Sequence, residues 1–111
     1  MSTTLAPADA LAALAAHAGG TPYLELFAHG SLSVEVYRPV DRDLQTPHAR
    51  DEVYVVIAGQ GTFFCDGART AFGPGTLLFV PAGATHRFED FTDDFSTWVL
   101  FYGPQGGEHD A

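Results

Sequence analysis

The chain has 111 residues and a formal net charge of −9, from 14 acidic and 5 basic residues. A length of this order supports a single hydrophobic core, so we expect one domain. The five cations are all arginines dispersed among acids, and such a surface is repelled by nucleic acid and by anionic membranes. We therefore expect a small molecule as the binding partner.

No leader or membrane anchor is recognisable in the sequence. The amino terminus lacks a basic region followed by an apolar stretch, and no apolar run approaches the roughly 20 residues that span a bilayer. Cys65 is the only cysteine, so it has no disulfide partner within the chain and is expected to be a small buried hydrophobe. These features predict a soluble cytoplasmic protein.

The first element along the chain is a helix. Pro7 opens a stretch rich in alanine and leucine, Leu11 and Leu14 lie three residues apart, and Gly19 follows the stretch. A proline at the first turn and a glycine beyond the last are typical helix boundaries. We predict a helix over residues 7–17.

The chain from Tyr23 onward predicts strands only. Runs of valine, phenylalanine and tyrosine alternate with glycine, proline and aspartate, and Asp66-Gly67 is typical of a tight hairpin turn. Strands are predicted near residues 23–28, 31–38, 52–58, 61–66, 69–73, 76–80, 85–91 and 96–102. Strands at this spacing, without a second helical pattern, indicate an all-β barrel or sandwich.

The predicted organisation has three parts. Residues 1–22 form the amino-terminal helix and a linker, residues 23–103 form the barrel, and residues 104–111 form a flexible tail. The tail is predicted to be mobile because it is polar and rich in glycine.

Three polar residues carry the functional prediction. His48 and Glu52 are four residues apart at the start of an apolar run, and His86 begins another strand. Two imidazoles and one carboxylate form a ligand set that holds a divalent transition metal and leaves other positions open. A closed barrel brings distant strands together, so the three side chains are expected to converge.

Strand alternation extends this site to neighbouring positions. If the chain is extended from Thr46 onward, then Thr46, Glu52 and Tyr54 share the inward face with His48. Thr46 precedes a proline, which favours extended geometry. Phe88 shares a face with His86, and we predict that Thr46, Tyr54 and Phe88 line the pocket.

The acidic neighbours and the arginines define the alternatives. Asp51 has the opposite parity to Glu52 and is expected to face outward. Without a metal, the inward carboxylate of Glu52 would need a cation such as Arg38 or Arg87, because an unpaired buried charge is very costly.

Two segments resemble the signatures of the cupin superfamily. Across residues 75–90, glycine, proline, glycine, histidine and aspartate fall at the offsets of the second signature, in which the last residue is usually asparagine. His48, Glu52 and Gly59 match the back half of the first signature. In the family a further histidine occupies the position of Thr46, and a glycine occupies that of Val40.

The resemblance covers roughly residues 31–102 and implies an all-β double-stranded β-helix, the RmlC-like jelly-roll cupin barrel, with a short amino-terminal α-helix. It implies one divalent transition metal, Fe, Mn, Zn or Ni, held by His48, Glu52 and His86. Thr46 leaves the fourth family ligand without an equivalent. The resemblance also favours a homodimer.

Function stays open at this point among three interpretations. A metal-dependent enzyme acting on a small molecule would be an oxygenase with iron, and an isomerase or lyase with another metal. No catalytic residue is assigned. The other interpretations are a non-enzymatic module that binds or senses a small molecule, and a structural cupin without a site.

Overall fold

The computed structural model describes residues 2–17 and 19–109. Its one helix and eight strands confirm the predicted order of elements. Helix α1 spans Pro7–Ala16, and the strands are β1 (Tyr23–His29), β2 (Leu32–Tyr37), β3 (Asp51–Ala58), β4 (Gly61–Cys65), β5 (Ala68–Phe72), β6 (Leu77–Val80), β7 (His86–Glu89) and β8 (Ser96–Tyr102).

The strands form two antiparallel sheets. One sheet has five strands in the order β1-β2-β8-β3-β6, and the other has three in the order β5-β4-β7. Strands β3 and β7 belong to different sheets, yet the rings of Tyr54 and Phe88 meet with centroids 4.8 Å apart. The predicted all-β jelly roll is confirmed, and the space between its sheets holds the core.

Alternation along the strands determines what enters that space. Glu52, Tyr54 and Val56 of β3 are buried, as are His86 and Phe88 of β7, whereas the residues between them are more exposed or lie on the other face. Aromatic rings fill much of the interior, and four of the ring pairs around Phe88 have centroid distances of 4.6 to 5.4 Å. The two polar members of this inward set therefore stand at the edge of an aromatic core.

Helix α1 lies against β1 and β2. Pro7 occupies its first turn, as the sequence predicts, and Ala10 is its buried residue. A groove of about 580 Å³ runs between this helix and the irregular segment that follows β2. In the part of the chain that the structure describes, no helix is long and apolar enough to cross a membrane.

The carboxy-terminal segment is attached to the start of β3. The Gly106 amide donates to the carbonyl of Ala49 at 2.7 Å, and the Glu108 amide donates to Oδ2 of Asp51 at 2.8 Å. Residues 106 and 108 of the predicted flexible tail over 104–111 are thus hydrogen-bonded to the barrel, and residues 110 and 111 lie outside the described residues. Composition alone did not indicate these contacts, because their acceptors lie more than 50 residues away in sequence.

Asp51 requires a correction. It was expected to face outward, but only 5% of its surface is exposed, because the tail and the loop before β7 cover it. Its carboxylate accepts hydrogen bonds from the Glu108 and Ala82 amides, and these bonds lower the pKa of Asp51. Strand alternation predicts the face on which a side chain lies but not whether other segments cover that face.

Candidate metal centre

Strands β3 and β7 bring Glu52 and His86 together between the sheets. Glu52 is 0% exposed and His86 is 3% exposed. Nε2 of His86 lies 3.0 Å from Oε1 of Glu52. Two of the three predicted ligands are therefore in direct contact, although 34 residues separate them in sequence.

His48 approaches the same point from the segment before β3. Its Nε2 lies 3.9 Å from Oε1 of Glu52, and 33% of its side chain is exposed. The ring packs edge-on against Phe101 of β8, with centroids 5.0 Å apart. One ligand atom from each of His48, Glu52 and His86 lies within 4.8 Å of the others. The structure thus brings the predicted ligand set together, with one ligand at the solvent edge.

The tautomer of His86 follows from its backbone contact. Nδ1 of His86 lies 2.9 Å from the carbonyl oxygen of Ala84. A carbonyl only accepts, so Nδ1 carries a hydrogen, and Nε2 of the neutral ring presents a lone pair to Glu52. Two electron-rich atoms at 3.0 Å repel each other unless a proton or a metal ion lies between them. Such a backbone hydrogen bond is the usual way in which a metal-binding histidine is oriented.

No other group compensates the Glu52 charge. Both of its carboxylate oxygens are buried without a hydrogen-bond partner among the described residues. The two arginines considered as alternatives bind elsewhere: Arg38 donates to the carbonyl of Asp93, and Arg87 donates to Glu89. Burial of an unpaired carboxylate costs several kcal/mol, so the donor set fits a divalent cation.

Without a metal, a proton on His86 partly fills this role. Burial lowers the pKa of His86, but the neighbouring Glu52 carboxylate and the Ala84 carbonyl outweigh burial and raise that pKa above 6.5. The Glu52 carboxylate thus favours a proton on His86 in the metal-free protein, and metal binding at Nε2 must displace any proton held there.

Thr46 does not lie where strand alternation placed it. Its side chain is exposed, and residues 38–50 contain no strand. The chain is irregular up to Asp51, so the alternation that holds for β3 does not extend back to Thr46. Proximity to Pro47 favoured extended geometry at one residue but did not create a strand.

Gln45 enters the site instead, and sequence reasoning missed it. Its Oε1 lies 3.2 Å from Nε2 of His48 and 3.1 Å from the hydroxyl oxygen of Tyr54. Nothing in its sequence context distinguishes this glutamine, because an irregular loop has no periodicity from which its direction can be read.

Tyr54, a predicted pocket residue, has its hydroxyl at the site. That hydroxyl lies 3.1 Å from Nε2 of His86 as well as from Gln45. Burial and the nearby charge of Glu52 raise the pKa of Tyr54 well above 10, so the metal-free protein holds a neutral phenol there. Phe88 lies deeper, with its ring 4.6 Å from that of Phe95, and it packs the core beneath the site.

Asp43 holds the irregular loop in place, and it too was missed. Its carboxylate accepts from the hydroxyl of Tyr37 at 2.6 Å and from the backbone amide of Phe88 at 2.9 Å. The side-chain amide of Gln45 donates to the same carboxylate at 3.0 Å. Asp43 therefore attaches the loop to β2 and β7 and turns the oxygen of Gln45 toward the other polar groups.

Comparison with known proteins agrees with this fold. Residues 33–102 match the family model described as a cupin domain. The chain is 33% identical over 85 residues to the uncharacterised protein SCO3923 of Streptomyces coelicolor, with 75% of this chain and 81% of that protein covered.

Two solved structures extend the comparison. The DMSP lyase DddQ from Ruegeria pomeroyi DSS-3 is 27% identical with a TM-score of 0.61; the match covers 73% of this chain and 46% of the lyase chain. This chain therefore spans less than half the length of that lyase. A Cupin 2 conserved barrel domain protein from Salinispora arenicola CNS-205 shares the fold, at 20% identity, a TM-score of 0.62 and 76% coverage of each chain.

The matched region contains the three clustered residues that could hold a metal ion and every strand from β3 to β8. The signature spacing noted in the sequence corresponds to side chains that meet in space. The chain therefore belongs to the cupin domain family.

Proposed function

We propose that this protein binds one divalent transition metal through His48, Glu52 and His86 and acts as an enzyme of the lyase type on a small organic anion. The observation that carries the proposal is the Glu52 carboxylate, which is fully buried and, among the described residues, has only the ring nitrogens of His86, 3.0 Å away, and of His48, 3.9 Å away, to offset its charge. A structural cupin without a metal would gain nothing from such a carboxylate.

A metal bound at this site would supply a Lewis acid that polarises an oxygen of the substrate. The residues of the chain do the rest. Glu52 offsets the positive charge of the ion, and the Ala84 carbonyl fixes the tautomer of His86. Two histidines and one carboxylate leave coordination positions open, and the half-exposed edge at His48 gives the side from which a substrate reaches them.

Tyr54 is the group placed to move a proton. In a lyase reaction, a base takes a proton from carbon, the electrons of that C–H bond form a double bond, and the leaving group departs with its own bonding pair. The hydroxyl of Tyr54 lies at the site, 3.1 Å from His86. A nearby cation favours the phenolate, which opposes the effect of burial on this residue. The 27% identity to a DMSP lyase supports this chemistry over oxygenation.

The groove beside α1 supports an anionic substrate. Arg38 and Arg42 line it, and no acidic residue does, although acids outnumber cations 14 to 5 in the chain. Neither arginine has a carboxylate within 4.0 Å among the described residues. Gln45 lines this groove and also contacts the site, so it connects the two. The volume of about 580 Å³ falls in the range of small-molecule pockets.

The groove also supports a second candidate function, a module that binds or senses a small molecule without turnover. A ligand bound between the helix and the loop needs no chemistry at the metal. Such a protein would gain stability from its ligand through mass action and would release it unchanged.

The test begins with metal content. The protein is purified without chelators, and bound metals are measured for the wild type, Glu52→Gln and His86→Ala. We expect about one ion per chain in the wild type and less than about a tenth of that in either variant. Metal that persists in both variants would reject the ligand assignment. Iron as the resident metal would favour the oxygenase interpretation.

Turnover is measured next with the metal-loaded protein on DMSP and on a panel of small organic anions. We expect Tyr54→Phe to retain its metal and to lose about 100-fold or more in kcat, as when a proton-transfer group is removed. Tyr102→Phe, outside the site at the end of β8, serves as the matched control and should keep both the bound metal and the wild-type kcat. If the protein binds metal and is stabilised by a ligand but forms no product, the enzyme interpretation is rejected in favour of the sensing module.

Assembly and location stay predictions from the sequence and the resemblance. Leu77 and Phe79 on the edge strand β6 are 63% and 50% exposed, which is consistent with a surface that a second copy covers. Light scattering coupled to size-exclusion chromatography tests the predicted homodimer.

A further inference from the structure

We propose that Gln45 supplies a fourth protein ligand, its side-chain amide oxygen, to the metal bound by His48, Glu52 and His86. The inference rests on the proposed metal site and assigns a role to a residue outside the family's histidine and carboxylate positions. Oε1 of Gln45 lies 3.2 Å from Nε2 of His48. Thr46, at the sequence position of the family's further histidine, is exposed.

The polar atoms at the site form a closed ring. Two ligands that bind a metal at about 2.1 Å and at right angles are about 3.0 Å apart, so contacts near this length suit a shared ion. The atoms of the ring are Nε2 of His48, Oε1 of Gln45, the hydroxyl oxygen of Tyr54, Nε2 of His86 and Oε1 of Glu52. In that order, the distances between successive atoms are 3.2, 3.1, 3.1 and 3.0 Å, and 3.9 Å from Glu52 back to His48.

The orientation of the Gln45 amide is fixed from behind. Its nitrogen donates to Oδ2 of Asp43 at 3.0 Å, so its oxygen points the other way, toward His48 and Tyr54. Asp43 is itself held by the Tyr37 hydroxyl and by the Phe88 amide. A carboxylate behind a ligand side chain is the arrangement by which proteins orient the donor atoms of a metal site.

Hydrogen bonding alone accounts for Gln45 only in the metal-free protein. There its oxygen accepts from the Tyr54 hydroxyl and from Nε2–H of His48. Coordination by His48 through Nε2 requires that nitrogen to lose its hydrogen. With a metal held by His48, the amide oxygen of Gln45 would lose one of its two donors and would be free to bind the ion.

The inferred ligand set has a consequence for metal preference. Two imidazoles, one carboxylate and one amide oxygen form a harder donor set than one in which a histidine occupies the fourth position. Oxygen ligands suit Mn²⁺, whereas imidazole suits Zn²⁺. The glutamine therefore shifts the relative affinity of the site toward Mn²⁺.

The experiment measures Kd for Mn²⁺ and Zn²⁺ by competition with a fluorescent chelator. The proteins are the wild type, Gln45→Leu, Gln45→His and the matched control Gln60→Leu, whose side chain is exposed in a turn away from the site. We expect Gln45→Leu to weaken Mn²⁺ binding about 10-fold or more, while Gln60→Leu stays within about 2-fold. Gln45→His should raise the preference for Zn²⁺ over Mn²⁺ about 10-fold.

Two further measurements separate ligation from positioning. Tyr54→Phe removes the hydroxyl that donates to Gln45, and it should weaken Mn²⁺ binding less than Gln45→Leu does. The Tm of metal-free Gln45→Leu shows whether the fold is kept, and Gln45→His gives a second test because it keeps a polar side chain.

The outcomes are distinguishable from failure of the metal site itself. If the wild-type protein binds neither ion, both the proposed function and this inference are refuted. Metal binding by the wild type with an unchanged Mn²⁺ affinity in Gln45→Leu would overturn only the role of Gln45. Equal losses for both ions in Gln45→Leu, with no change of preference in Gln45→His, would also overturn ligation and would leave Gln45 as a positioning residue.

Discussion

Replacement of Glu52 by glutamine should separate the requirements of the fold from those of the site. The substitution keeps the size of the side chain and removes its charge. In the metal-free protein, the new amide group can donate to Nε2 of His86, which lies 3.0 Å from the present carboxylate oxygen. The buried charge disappears together with its desolvation cost, so the free energy of unfolding should change by less than about 1 kcal/mol.

With metal the result should reverse. A ligand that binds only the folded state stabilises it by about 2.7 kcal/mol when the free ligand concentration is about 100 times Kd. For a domain of this size, each kcal/mol raises Tm by about 4 °C, so the expected increase in Tm is about 11 °C. The wild type should show this increase. Glu52→Gln should show less than about a quarter of it, because a neutral amide is a weak ligand beside a carboxylate.

Differential scanning calorimetry with and without added Mn²⁺ or Zn²⁺ measures both effects on the same two proteins. An equal increase in Tm on metal addition would show that the ion binds elsewhere. A large loss of stability in metal-free Glu52→Gln, above about 2 kcal/mol, would show that the carboxylate serves the fold, and the reasoning about its unpaired oxygens would be wrong.

Three further predictions concern pH, a turn and the tail. In the folded protein the pKa of His86 is raised above 6.5, so the stabilising contribution of this group to the metal-free protein is complete below pH 6.5 and is lost as the pH rises through the raised pKa. Over the same pH range, the increase in Tm on metal addition should grow, because metal binding displaces the proton. An increase in Tm that does not depend on pH would contradict histidine ligation. Gly59→Ala places a Cβ 2.5 Å from the Cα of Phe95 at a φ of +88° and should lower the free energy of unfolding by about 3 kcal/mol. Gly67→Ala, at a φ of +87° with open space around it, should lower it by only about 1 kcal/mol. Equal losses of the two variants in urea unfolding would refute the steric argument. Asp51→Ala should release the tail, seen as faster hydrogen exchange of its amides with little change in metal affinity, and unchanged exchange would show that the tail is held by other contacts.

The strands could be predicted because their signals are local. Apolar alternation and turn residues indicated all eight strands, and the same alternation placed Glu52 and Tyr54 on the inward face of β3. The meeting of His86 with Glu52 was expected from closure of the barrel and from the family spacing rather than from periodicity. The strand predictions depend on repeating patterns along the chain, and the structure agrees with them.

The rest of the site depends on one irregular loop. Residues 38–50 have no periodicity, and their conformation is determined by contacts such as that from the Phe88 amide to Asp43, which are 45 residues apart. For this reason Thr46 was expected at the site and Gln45 was not. Asp51 shows the same limit, because its burial depends on a tail that packs from the far end of the chain.

The most direct test of the metal site is an anomalous-difference map from crystals grown with Mn²⁺ or Zn²⁺ and measured on either side of the absorption edge of that metal. The account predicts one strong peak within about 2.3 Å of Nε2 of His48, Nε2 of His86 and a carboxylate oxygen of Glu52. The absence of a peak among these atoms at saturating metal, or a peak held by other residues, would contradict the proposed function.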